Sequence, residues 1–122
     1  QDAIAGSIRR LKQRRLLDDA AYARRFAEQR VAMQRKGSRL VRQELLQRGI
    51  SREEADQALQ ALDSGVEQET ALALARKKWP GIKGEPREKR MKLIAFLVRR
   101  GFPGSVAKAA ADQAASEAAD TD

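Results

Sequence analysis

Residues 41–58 read VRQELLQRGISREEADQA, and residues 93–110 read LIAFLVRRGFPGSVAKAA. A shift of 52 residues superposes apolar residues on apolar residues and an Arg-Gly pair on an Arg-Gly pair. The matched pairs are Val41 with Leu93, Leu45 with Leu97, Leu46 with Val98, Arg48 with Arg100, Gly49 with Gly101, Ile50 with Phe102, Ala55 with Ala107 and Ala58 with Ala110. Self-similarity at a fixed spacing of this size is typical of repeat proteins, so the two stretches are interpreted as equivalent parts of two structural repeats.

Both stretches predict two helices that meet at a glycine. Apolar residues recur every three or four positions and alternating β-branched runs are absent, which favours helices and no strands. Gly49 follows the last apolar residues of the first helix, where glycine takes the left-handed conformation at least cost. Ser51 and Glu54 have the spacing of a capping box, which predicts the start of the next helix. Ser38 is predicted to cap the helix that buries Val41 and Leu45.

A further helix is predicted upstream of each stretch. Upstream of residues 41–58 this helix should begin near Asp18 and Asp19, either of which can cap it. Its apolar face is predicted to hold Tyr22, Ala23, Phe26, Ala27 and Met33. The first helices of the two repeats align at a shift of 48, because residues 79–86 lengthen the second connection by four residues. Each repeat is therefore predicted to contain three helices.

The sequence thus predicts an all-α fold of tandem three-helix repeats forming an elongated, curved stack. Residues 1–17 match the last helix of a repeat and are interpreted as the remnant of a first three-helix repeat. Residues 18–63 form the second repeat and residues 64–115 the third. Residues 116–122 are acidic and lack large apolar side chains, so they are expected to be a disordered tail.

Composition excludes many kinds of chemistry. The 122 residues contain neither histidine nor cysteine, so imidazole bases, thiolate nucleophiles and ordinary zinc sites are excluded. The carboxylate pairs at helix starts are explained by capping, and no phosphate-binding glycine motif is present. We therefore expect a protein that is not an enzyme and uses no cofactor, metal or small-molecule substrate. No apolar run is long enough to span a membrane, and a soluble, cytoplasmic protein is expected.

Excess positive charge is the strongest functional signal. The chain has 25 Lys and Arg against 17 Asp and Glu, and arginine binds phosphates and carboxylates through paired hydrogen bonds. A solvated charged face would explain such a surface without any partner. The excess of one sign favours a binding surface instead. The candidate partner-binding residues are Arg24, Arg25, Arg35, Lys36, Arg39, Arg42, Lys83, Arg87 and Arg90.

Three other bases are assigned structural roles. Arg30 falls on the apolar side of its helix, so its stem should pack on the core while its head reaches a carbonyl or a carboxylate. Arg48 and Arg100 directly precede the helix-ending glycines. A cation there interacts favourably with the negative end of the helix dipole, so both are interpreted as capping residues.

An ordered set of motifs is similar to the RecX family, the bacterial modulators of the RecA recombinase. The set comprises LLDDAAYA at 16–23, Arg30, Lys36 with Gly37, ELLQRGI at 44–50 and RRGF at 99–102. The resemblance covers residues 4–112. It implies three tandem three-helix repeats and binding in the groove of the RecA filament on single-stranded DNA, which blocks filament extension and lowers recombinase and coprotease activity. It implies no catalytic residues, and single-stranded DNA is a possible second partner because some family members bind DNA.

Two alternatives use the same fold. Three short helices with a glycine turn also describe a helix-turn-helix, so a direct DNA-binding module without RecA dependence is the first alternative. Against it, the third helix of the unit carries Glu53 and Asp56, and carboxylates there repel phosphates. The second alternative is a helical scaffold for an acidic protein partner.

Overall fold

The computed structural model describes residues 2–62 and 64–120, and within them the chain forms six α-helices and one 3₁₀ helix, without strands. The elements are α1 (Asp2–Ala32), α2 (Ser38–Gln47), α3 (Arg52–Gln60), α4 (Ser64–Lys78), the 3₁₀ helix (Trp79–Gly81), α5 (Pro86–Arg99) and α6 (Gly104–Asp120). Helices α1 to α3 form one three-helix unit and α4 to α6 form another, each around its own core. The prediction of an all-α protein of tandem three-helix repeats is confirmed, while the elongated, curved outline stays a prediction.

The first unit closes around aliphatic side chains that the repeat pattern selected. Val41 and Leu45 of α2 are completely buried, and Leu59 of α3 is half-buried against them. The buried set is Ala23, Phe26, Ala27, Val31, Val41, Leu45, Ile50, Ala55 and Ala58. Small residues on α1 and α3 let these helices approach closely, since they contribute little side-chain volume.

The second unit repeats this arrangement with an alanine-rich final helix. Leu93 and Leu97 of α5 and Phe102 after it are completely buried. The remaining buried residues are Ala71, Ala75, Trp79, Ala107, Ala110, Ala111 and Ala114. Leu93, Leu97 and Phe102 align with Val41, Leu45 and Ile50, which are buried in the first unit.

Both predicted helix-ending glycines have left-handed backbones. Gly49 has φ 87° and Gly101 has φ 98°. The amide of the next residue, Ile50 or Phe102, donates to the carbonyl of Leu45 or Leu97 at 3.1 Å. These are Schellman motifs, in which the last carbonyls of the helix gain donors and the following apolar residue enters the core.

The start of the first helix and the position of Met33 were predicted wrongly. Helix α1 has 31 residues, begins at Asp2 and continues without a break through Asp18 and Asp19. Neither aspartate therefore caps a helix. The last residue of α1 is Ala32, so Met33 lies beyond the helix and is 78% exposed, while Val31 is buried. The boundary predicted between residues 17 and 18 therefore falls inside a helix. That residues 1–17 descend from an earlier repeat stays a prediction.

Of the two predicted serine caps, one is confirmed. The Ser51 hydroxyl accepts a hydrogen bond from the Glu54 amide at 3.1 Å. Ser38 instead is the first residue of α2, and Gly37 occupies the cap position without a side-chain bond. The Ser38 amide donates to the carboxylate of Glu67 in α4, so a neighbouring helix satisfies this end of α2.

The expected disordered tail is helical as far as the structure describes it. Helix α6 extends to Asp120, and residues 121 and 122 lie outside the described residues. Ala114 is buried, Ala118 packs against the second core, and Glu117 forms two hydrogen bonds with Arg76 of α4, at 2.6 and 2.7 Å. Alanine suffices here because α4 lies close enough for a methyl group to fill the space.

Two glycine turns join the repeats. The Gly37 amide donates to the carbonyl of Arg100, and the Arg39 amide to that of Gly101, both at 2.9 Å. The Arg100 side chain donates to the carbonyls of Gln34 and Arg35 at 2.8 and 3.0 Å. We call this contact the inter-repeat joint. It fixes how the two units are placed relative to each other, because backbone is bonded to backbone.

Candidate partner-binding surface

Four candidate partner-binding residues of the first unit have side chains that no other described residue engages. Arg24 and Arg25 on α1 and Arg39 on α2 are exposed. Arg35 is half-buried beyond α1 and has a left-handed backbone with φ 53°. None of these four side chains has a hydrogen bond or ion pair with another described residue. Their charge is therefore available to a partner.

Two other predicted bases are already paired within the first unit. Lys36 Nζ lies 2.7 Å from Glu44 Oε1, and Arg42 Nε lies 2.7 Å from Asp56 Oδ1. Using either cation for a partner would first require breaking or sharing these ion pairs. Lys36 and Arg42 are thus weaker candidates than sequence spacing suggested.

The candidate bases of the second unit also include both unpaired and paired residues. Lys83 and Arg87 are exposed, whereas Arg90 lies 3.6 Å from Asp112. Arg87 and Arg90 line a shallow cavity of about 280 Å³ together with Pro86 and Ala115. The structure therefore brings Arg87 and Arg90 together at the contact between α5 and α6.

The three bases assigned structural roles differ in outcome. Arg30 follows the prediction: its guanidinium lies 4.3 Å from the centroid of the Phe26 ring, and its Nε is 3.7 Å from Glu44. Arg100 occupies the C-cap position of α5, as predicted, but its side chain donates to the carbonyls of Gln34 and Arg35 in the loop that follows α1. Arg48 occupies the C-cap position of α2, as predicted, but its side chain stacks on Phe26 and donates to the Tyr22 hydroxyl at 3.3 Å.

Sequence reasoning also missed a basic segment in the first half of α1. Residues 9–15 read RRLKQRR, and all seven are exposed. These five bases have no ion-pair partner among the described residues. A count of charges in a short window would have found them, whereas the interpretation of residues 1–17 as a repeat remnant assigns them no role.

One strong ion pair shifts the ionisation of its partners. Two hydrogen bonds from Arg76 hold the pKa of the Glu117 carboxyl below its ordinary value, and the same contact raises the pKa of Arg76. The pair connects α4 to α6 and has a structural role.

Across residues 2–62 and 64–120, no group of three acidic side chains is placed to hold a metal ion. No helix in this part of the chain is long and apolar enough to cross a membrane.

These features define the class: a tandem three-helix repeat protein with exposed, unpaired arginines. Comparison with family models gives the particular family. The second three-helix domain of RecX matches residues 18–59, and the third matches residues 66–110. The chain belongs to the RecX family.

Comparison with individual proteins agrees with this assignment. The chain is similar to the regulatory protein RecX of Chlorobium phaeobacteroides, with 38% identity over 111 residues that cover 91% of this chain and 72% of the relative. The regulatory protein RecX of Prosthecochloris aestuarii is 34% identical over 112 residues, covering 92% and 72%. That of Deinococcus radiodurans is 37% identical over 99 residues, covering 81% and 46%. No solved structure matches the chain.

Proposed function

We propose that this protein is a negative regulator of the RecA recombinase that binds in the groove of the RecA filament on single-stranded DNA and limits filament extension and activity. Membership of the RecX family is the observation that carries the proposal. A regulator of this kind acts in the cytoplasm, so that location belongs to the same proposal. The two repeats would contact successive parts of the groove.

The unpaired arginines are the proposed contacts with the filament. Arg24, Arg25 and Arg39 are exposed without an internal partner among the described residues, so binding would not first have to break an ion pair. A filament on DNA carries phosphates, and arginine pairs with phosphate or carboxylate through two parallel hydrogen bonds. We include Arg35, Lys83 and Arg87 in the proposed surface. The paired bases Lys36, Arg42 and Arg90 are retained as secondary contacts.

The alternative of a DNA-binding module without RecA dependence is less well supported. A helix-turn-helix places the first residues of its recognition helix against the bases. Here α3 would be that helix, and its first turn contains Glu53 and Glu54. Their charges would face phosphates in such a complex, which disfavours α3 as a recognition helix.

The DNA-dependent ATPase of RecA provides the test. The wild-type protein should slow it at low stoichiometry, and replacing Arg24, Arg25 and Arg35 together by Glu should weaken this inhibition. A charge-matched control replaces Arg52, Arg99 and Lys108 by Glu; these three residues are exposed but outside the proposed surface. Both triple variants should keep the wild-type melting temperature to within a few degrees, because none of the replaced side chains forms an ion pair with another described residue.

The same variants distinguish a specific surface from general electrostatics. Binding to the filament should weaken with ionic strength, and only the first triple variant should lose inhibition. Equal losses in both triple variants would contradict the proposed surface. Affinity for naked single-stranded DNA equal to that for the filament, at one salt concentration, would favour the DNA-binding alternative.

A further inference from the structure

Around Phe26 the structure gathers three arginines, only one of which has a carboxylate close by. Arg30 and Arg48 stack on the Phe26 ring, with guanidinium carbons 4.3 and 4.8 Å from its centroid. Arg25 joins Arg30 in lining a shallow cavity of about 330 Å³ beside the ring. We call Arg25, Arg30 and Arg48, with Tyr22 and Phe26, the Phe26 cluster.

The Phe26 ring orients both guanidinium groups, and Arg30 also donates to the Gln29 side chain at 3.0 Å, so Arg48 keeps more of its donors available than Arg30 does. Stacking uses the flat face of the guanidinium, and the N–H groups point outward from its edge. Among the described residues, Arg48 has one side-chain hydrogen bond, to the Tyr22 hydroxyl at 3.3 Å. Tyr22 lies 5.9 Å from Phe26 between ring centroids and is 38% exposed, so this hydroxyl stands at the edge of the cluster.

The cluster carries excess positive charge. Glu44 lies 3.7 Å from Arg30 and 2.7 Å from Lys36, so one carboxylate serves two cations. Neither Arg25 nor Arg48 has a carboxylate partner among the described residues. Like charges held this close repel one another, and a bound anion would relieve that repulsion.

The corresponding part of the third repeat keeps one cation on a ring, since Lys78, which aligns with Arg30, lies 4.7 Å from the centroid of Phe96, but it lacks the arginine cluster. Phe26 aligns with Leu74 and Arg25 with Ala73, so the ring and one guanidinium are absent there. Arg48 aligns with Arg100, whose guanidinium is engaged with the carbonyls of the inter-repeat joint. The three-helix fold therefore does not by itself require an arginine cluster at this place.

We propose that the Phe26 cluster is a phosphate-binding site that holds a phosphodiester of single-stranded DNA. Arg48 and Arg25 would donate to the phosphate oxygens, with Arg30 adding charge from the Phe26 face and the cavity receiving the adjoining nucleotide. The site deepens the proposed function, because it makes the DNA of the filament a direct ligand of this protein. Its test uses naked DNA, so it does not depend on RecA.

Fluorescence anisotropy of a labelled oligothymidylate provides the measurement. Replacing Arg48 by Gln, and separately Arg25 by Gln, should each weaken binding by about 3- to 10-fold at low salt. Log affinity falls as log salt concentration rises, and each lost phosphate contact should make this slope shallower by about 0.7. Arg52→Gln is the matched control, because Arg52 is also exposed and its replacement removes the same charge outside the cluster.

Three results would overturn the site. The first is an equal loss of affinity in Arg52→Gln, which would show general electrostatics. The second is unchanged DNA affinity in Arg48→Gln with a lowered melting temperature, which would give Arg48 a structural role like that of Arg100. The third is displacement of the DNA by an oligoglutamate as effectively as by an unlabelled oligonucleotide of equal charge, which would show selection of carboxylates.

RecA inhibition separates this site from the proposed function. If Arg48→Gln leaves DNA binding unchanged while the wild-type protein inhibits the RecA ATPase, the site is refuted and the proposed function stands. If Arg48→Gln and Arg25→Gln weaken DNA binding while the wild-type protein leaves RecA unaffected, the site stands and the proposed function is refuted.

Discussion

Replacing Gly37 by alanine tests whether the inter-repeat joint holds the two units together. A Cβ atom at Gly37 would lie 2.1 Å from the backbone of Gly101 and Phe102. Neither neighbour is a flexible side-chain end that could rotate away. The backbones must therefore separate, which breaks the two backbone hydrogen bonds of the joint and displaces Arg100 from its carbonyl partners.

The expected cost follows from these contacts. Neutral hydrogen bonds contribute about 1 kcal/mol each, and bonds from a charged donor about 1.5 kcal/mol or more. With partial loss of the Arg100 bonds, Gly37→Ala should lower the free energy of unfolding by about 3–5 kcal/mol. Backbone strain does not contribute, because the φ of Gly37 is −77°, which alanine adopts freely.

Two other glycines are matched controls. Gly49 has φ 87°, and no described neighbour lies within 4 Å of the place a Cβ atom would take, so Gly49→Ala should cost only the left-handed strain of about 1 kcal/mol. Gly81 has neither a close neighbour nor a positive φ, and Gly81→Ala should change stability by less than about 0.5 kcal/mol. Urea unfolding followed by circular dichroism measures all three. A Gly37→Ala variant no less stable than Gly49→Ala would refute the joint as a stabilising contact.

Three further perturbations test packing and charge. Leu45→Ala should cost about 2–5 kcal/mol in urea unfolding, because Leu45 is completely buried; a smaller loss would contradict its place in the core. Breaking the half-buried pair of Arg42 and Asp56 with Arg42→Gln should cost less than about 1 kcal/mol in the same assay, because water still reaches both side chains, and a larger loss would contradict this solvent screening. Because the contact with Arg76 lowers the folded-state pKa of Glu117, its stabilisation is present above the unfolded pKa and lost as the pH falls through the folded one. Urea midpoints of wild type and Glu117→Gln should therefore differ at neutral pH and converge as the pH falls through the lowered folded-state pKa of Glu117, and a constant difference would contradict the ion pair.

Much of the fold could be predicted from the sequence because its signals are local. The spacing of Leu45 and Leu97 in the two repeats identifies core positions, and both are buried. Glycine is the residue that most easily adopts the left-handed conformation at the end of a helix. Gly49 and Gly101 both adopt that conformation. These features depend on residues within about one helical turn of each other, so periodicity reports them directly.

The candidate surface could be predicted only in part. Sequence patterns identify exposed bases such as Arg24 and Arg39, because a helical wheel separates the polar face from the apolar one. They do not show which bases already have partners. Arg42 pairs with Asp56 on another helix, and that distance depends on how α2 and α3 pack.

Contacts between distant parts of the chain were decided by tertiary structure alone. The continuity of α1 through Asp18 and the helical end of α6 were not predicted, although alanine favours a helix at the end of α6, and the inter-repeat joint had no local signal. Gly37 shows the difference: its sequence context indicates only the end of a loop, but in the structure its missing side chain admits the backbone of residues 101 and 102. A sequence pattern records what each residue prefers among its neighbours. Which backbone it meets across the fold depends on the packing of whole helices, whose energy is summed over many side chains.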